Sequence, residues 1–151
     1  RHTIDETFVY MKKELTLLIE DYNYNQGITG YFCRHLGVLL HYVADFFTYP
    51  HNTFYPGTLK DHCNYEKDMK FYMRDYVKTE DAKRYRTMNA VTKTVEDICC
   101  FIKESHIRYA KEKHSVSGDC SIIVSICHRI VDFILNLAEH KNAVFVKTSC
   151  A

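Results

Sequence analysis

From the start of the chain the apolar residues return at steps of three and four: Ile4, Phe8, Met11, Leu15, Leu18 and Tyr22. That spacing describes one face of an amphipathic helix. Thr3-Ile4-Asp5-Glu6 reads as its capping box, in which the hydroxyl and the carboxylate each meet a free backbone N–H of the first turn. The polar run Asn23-Tyr24-Asn25-Gln26-Gly27 closes the element as a loop. Over 28–49 the residues are apolar nearly all round (Tyr31, Leu36, Val38, Leu39, Val43 and Phe47 among them), which predicts a largely buried central helix. Pro50 drives Tyr49 out of helical geometry and predicts an ordered loop over 51–57.

A second cap signal, Thr58-Leu59-Lys60-Asp61, opens a third helix whose stripe runs through His62, Glu66, Met69, Met73, Tyr76 and Val77. Two polar residues therefore share a core-facing stripe. Met88, Val91, Val95, Ile98, Ile102 and Tyr109 are in register for a fourth helix ending near His114, with a shorter turn over 81–86 before it. Gly118-Asp119 opens a fifth, carried by Ile123, Ile126, Ile130, Ile134 and Leu137, while the residues after Lys141 follow no assignable pattern. The whole pattern predicts an all-α, single-domain bundle of about five helices spanning 1–151.

Composition narrows the classes. A length of 151 residues suits one hydrophobic core. Lys and Arg number 20 against 19 Asp and Glu, so the net charge of +1 argues against a nucleic-acid binder relying on a general basic field. Hydrophobic content of 46% with five Gly and two Pro excludes disorder and a turn-rich sandwich. Charged or polar residues interrupt even 36–47, so no transmembrane segment is expected. Seven Cys with no C-x-x-C pair favour a reducing compartment, hence a cytoplasmic location; no charged-then-apolar leader follows Arg1, but a signal peptide upstream, and with it secretion, stays open.

The chemistry lies in His41-Tyr42-Val43-Ala44-Asp45, in Pro50-His51, and in His62-Cys63-Asn64-Tyr65-Glu66. His41 and Asp45 stand four apart, so both side chains leave one helical stripe and can close on one ion. His62 and Glu66 repeat that geometry on the next helix. His51 lies between the pairs, where chain reversal can carry it to either. An ionised Asp within the most apolar helix would cost several kcal/mol, on the order of an unpaired buried charge, unless a partner compensates it. A divalent cation does so. Imidazole and carboxylate without thiolate suit zinc with an open coordination position, with iron and manganese as alternatives. His35, His106, His114, His128 and His140 are scattered and read as core or surface, Cys99-Cys100 as helix packing, and Cys63 as buried beside a ligand.

The run HLGVLLHYVADFFTYPHN followed by H-x-x-x-E strongly resembles the bacterial zinc-dependent phospholipase C family, whose all-helical fold is shared with single-strand-specific nucleases of fungi and plants. The likeness is close over 34–76. It implies that His41 and Asp45 serve one zinc, that His51, His62 and Glu66 serve a second, and that a third is shared through Asp45, the residue thereby implicated in catalysis. His2 corresponds to the further His that completes the first zinc site, with the third zinc as its rival place. Relatives carry an upstream His and Asp that do not precede Arg1, so the chain is expected to be N-terminally truncated, with activity depending on that segment.

The activity so implied is zinc-dependent hydrolysis of a phosphodiester, possible substrates including phospholipids, by metal-activated water. Tyr42, Phe46, Phe47, Tyr49, Phe54 and Tyr55 are candidates to receive a headgroup, although most are expected to be core. The alternatives are a zinc-dependent single-strand nuclease and a non-catalytic helical domain stapled by metal. Nothing in the pattern bears on oligomeric state.

Overall fold

The computed structural model describes residues 3–83 and 94–149. Among them every regular element is helical. The first helix, α1 (Ile4–Thr16), starts at the predicted cap with half of the expected box: Thr3 accepts from the Glu6 N–H, and the Glu6 carboxylate accepts from the Thr3 hydroxyl at 3.0 Å where a backbone N–H was expected. A wider turn, Leu17–Asp21, continues it. The reversal that follows needs Gly27 at a φ of 70°, a conformation that a Cβ disfavours, and Tyr22 fastens it by donating its hydroxyl to the Gly27 carbonyl at 2.7 Å.

Thr29 caps α2 (Gly30–Phe46), which lies against α1. Its burial differs from the expectation. Phe32, Leu39, Val43 and Phe46 face the core and Asp45 to Thr48 are buried, whereas Tyr31 and Val38 remain exposed at 50% and 37%. Only one flank of α2 meets other helices, so an apolar circumference did not require enclosure.

Pro50 occupies the first turn of a short Tyr49–His51 helix, where its missing N–H costs nothing, so His51 belongs to an ordered turn. In the loop beyond it, the Tyr55 ring lies over Gly57, where an added Cβ would sit 2.3 Å from that ring. A full capping box between Thr58 and Asp61 then opens α3 (Leu59–Tyr76). Val77, expected on its core stripe, is 46% exposed just past its end. The short α4 (Glu80–Lys83) falls at the start of the brief turn predicted over 81–86, of which 84–86 lie outside the described residues.

Met88 and Val91 lie outside the described residues. The next helix, α5 (Val95–Tyr109), begins at a capping box between Thr94 and Asp97, since extended Thr94 (φ −75°, ψ 167°) breaks any register carried in from Met88. It ends at Tyr109, short of His114. The last helix, α6 (Val116–Ser149), starts two residues before Gly118, with the Ser115 hydroxyl accepting from the Gly118 N–H, and its backbone runs on through the unassigned tail.

The main core joins Met11, Leu15 and Leu18 of the first element to Val43, Phe46, Ile98, Ile102, Ile130 and Ile134. Each such side chain contributes about 1.5–3 kcal/mol on burial. A smaller cluster of Tyr76, Ala82, Cys120 and Val124 seats α3 and α4 on α6. Within α6, Val116–Leu137 is long and apolar enough to cross a membrane by length and composition alone. Its Ile123, Ile126, Ile130 and Ile134 are nevertheless turned into the core, as in an internal helix.

Candidate metal centre

α2 and α3 each deliver an i, i+4 pair, and the Tyr49–His51 turn delivers the residue between them. His41 Nε2 lies 3.5 Å from Asp45 Oδ2. His62 Nε2 lies 3.0 Å from Glu66 Oε1. His51 joins the two pairs: its Nε2 is 2.8 Å from the same Glu66 oxygen and its Nδ1 is 3.7 Å from Asp45 Oδ2. The side chains of Asp45, His51 and His62 are nearly buried, those of His41 and Glu66 about half exposed, so the cluster is walled on one side and open on the other.

The donor atoms of His51, His62 and Glu66 all fall within 4.8 Å of one another, the one group of this kind among the described residues. In a tetrahedral shell with zinc bonds of about 2.0–2.1 Å, neighbouring donors stand about 3.3 Å apart, close to the 2.8 and 3.0 Å seen here. Two imidazoles and one carboxylate are also a known donor set of a zinc site that keeps a position open. His51 Nδ1 and His62 Nδ1 are buried with no hydrogen-bond partner, so the cluster is unfinished in hydrogen-bonding terms. The residues fit zinc. Hydrogen bonding from His51, supported by that from His62, holds the Glu66 carboxyl below its usual range despite partial burial.

Five of the six residues singled out in the sequence are thus gathered in one place; His2 lies outside the described residues. Cys63 is exposed, contrary to expectation, because one step along α3 turns a side chain about 100° away from the direction of His62. Cys100 is likewise exposed while its neighbour Cys99 is buried. Of the aromatic candidates, Phe46 and Phe47 are core, and Tyr49 packs with Phe54, Tyr55 and His114. His35 bonds Glu14 at 2.6 Å and His106 bonds Asn52 at 2.7 Å, in keeping with their structural reading.

Sequence reasoning missed the carboxylate behind the centre. Asp119, 1% exposed in the first turn of α6, accepts from the Tyr49 N–H and the Tyr65 hydroxyl through Oδ2, both at 2.8 Å, and from the Tyr109 hydroxyl through Oδ1 at 2.9 Å. Burial pushes its carboxyl up, and those three donors pull the other way. Burial, seconded by this carboxylate, also raises both tyrosine hydroxyls, so each stays a donor. Spacing could not reveal a partner 54 and 70 positions away. Asn52, which donates to the Phe46 and Thr48 carbonyls and so ties the end of α2 to the turn, was also missed, although its partners are close in sequence.

A family model described as zinc dependent phospholipase C matches residues 1–116. No curated protein and no solved structure matches the chain.

Proposed function

Because the chain belongs to the zinc-dependent phospholipase C family, we propose that it is a phosphodiester hydrolase of phospholipase C type, acting on a phospholipid. The observation that carries this reading is the convergence of His51, His62 and Glu66 beside Asp45. In this reading those three hold one zinc ion. His41 and Asp45 offer part of a second set, for which His2 is the proposed completing ligand, and Asp45 is the carboxylate shared between sets. The core common to α1, α2, α5 and α6 supports treating 1–151 as one domain.

Bound zinc supplies Lewis acidity, lowering the pKa of water and polarising a phosphoryl oxygen. The protein contributes the arrangement. With a divalent ion held by two imidazoles and one carboxylate, the centre would carry net positive charge and would draw a phosphate locally, although the chain as a whole carries only +1. Asp45 Oδ2 lies near both His41 Nε2 and His51 Nδ1, at 3.5 and 3.7 Å, so one nearly buried carboxylate neighbours both rings. The exposed edge at His41 and Glu66 leaves the substrate an approach.

Metal analysis of the wild type beside His41→Ala and Glu66→Ala, coupled to hydrolysis of a phosphocholine ester and of single-stranded nucleic acid, tests this. Glu66→Ala is expected to lose bound zinc, and hydrolysis of the phosphocholine ester to fall by more than the roughly 10–100-fold typical of outer-sphere changes. Equal metal content in all three proteins rejects the assignment. Cleavage of nucleic acid alone moves the substrate to the nuclease class, and metal retained without turnover identifies a stapled domain.

A further inference from the structure

We propose that Asp119 is the positioning residue of the metal centre, locking the turn that carries His51 to the segment of α3 that carries Glu66. The proposal rests on the zinc reading above but concerns a residue outside the donor set. One oxygen, Asp119 Oδ2, receives both the Tyr49 N–H and the Tyr65 hydroxyl. Tyr49 opens the turn that ends in His51, and within it the His51 N–H bonds the Thr48 carbonyl at 2.9 Å and the Asn52 N–H bonds the Tyr49 carbonyl at 3.1 Å. Tyr65 is the residue before Glu66 and three after His62. The same oxygen thus fixes the distance between the two chain segments whose imidazole and carboxylate meet at 2.8 Å.

Such a link matters because His51 hangs from a short turn, whereas His62 and Glu66 share a rigid helix. Two donors 15 residues apart keep a fixed separation only if something ties their backbones together. Asp119 is suited to this: it is buried, held by three donors, and anchored in the long α6 against which α3 packs. Outer partners that orient ligands typically account for 10–100-fold in metal affinity. The third donor supplies an internal control. Tyr109 bonds the other oxygen from α5, which carries none of the proposed ligands.

The experiment compares Tyr65→Phe, Tyr109→Phe and Asp119→Asn with the wild type at a temperature where circular dichroism shows each to be folded. Zinc affinity is measured by competition with a chelator, and site geometry by the visible absorption of the cobalt-loaded protein. Tyr65→Phe should weaken zinc binding about 10-fold and alter the cobalt spectrum, Asp119→Asn should do so at least as strongly, and Tyr109→Phe should change affinity less than about 2-fold. Zinc binding and spectra that are unchanged in Tyr65→Phe, or changed equally in the two tyrosine variants, overturn the positioning role alone. A wild type that binds neither metal overturns the zinc reading and this proposal together.

Discussion

At the scale of the residue, the geometry of the candidate site was readable where neighbours in space are neighbours in sequence. His41 with Asp45 and His62 with Glu66 obey the i, i+4 rule, and the structure brings each pair within 3.5 Å. His51 could have served either pair, and its two ring nitrogens face both. Asp119 stayed hidden because its hydrogen bonds cross the whole fold. Single-step errors had a different origin: Cys63 and Cys100 were assigned with their neighbours, although a helix turns consecutive side chains to different faces. His106 yields a prediction at this scale. Burial holds its imidazole below the ordinary value of 6.5, so on acidification through that value the unfolded chain takes up the proton before the folded protein does. Stability should therefore fall as pH drops from about 6.5 through the depressed folded value, and level off below it. Melting temperatures of wild type and His106→Gln across pH 5–7.5 check this; parallel curves would remove His106 as a source of the slope.

At the scale of the element, helix starts were legible when a cap coincided with a change in the apolar pattern. Thr3 and Thr58 were found for that reason. Thr94-Val95-Glu96-Asp97 carries the same signal, but the apolar register from Met88 and Val91 runs through it and masked the boundary, since periodicity reports phase and not where a helix begins. The exposed flank of α2 is a related failure: residue type indicates what a surface tolerates, and only the neighbouring helices decide which side they cover. Thr58 matters beyond stability, because its helix bears two of the proposed ligands within its first eight residues. Thr58→Ala is expected to cost about 1 kcal/mol in urea unfolding. With one turn of α3 loosened, zinc affinity should fall as well, whereas Thr94→Ala, of similar cost, should leave it unchanged. Equal zinc affinities in the two variants would contradict a role for that cap at the centre.

At the scale of the whole molecule, the fold class followed from periodicity, and the partition of burial did not. The main core unites α1, α2, α5 and α6, and a lesser one holds α3 and α4. The proposed ligands straddle that division, with Asp45 on a helix of the larger core and His62 and Glu66 on a helix of the smaller. Metal binding should therefore stabilise the assembly globally. Free zinc at about 100 times its Kd is expected to add roughly 2.7 kcal/mol to unfolding, raising Tm, with EDTA reversing the gain. A Tm indifferent to both, in a protein shown by metal analysis to be loaded, would mean that the ion does not link the two cores.

The donors from His41 to Glu66 lie on α2, the Tyr49–His51 turn and the start of α3, while Asp119 follows Tyr65 by 54 positions. At a synthesis rate of about 5–20 residues per second, those segments leave the ribosome roughly 3–11 s before that carboxylate does. Under the proposed zinc assignment, these donors would meet the ion before the residue that positions them, so ion supply during translation, and not only in the finished protein, would bear on loading.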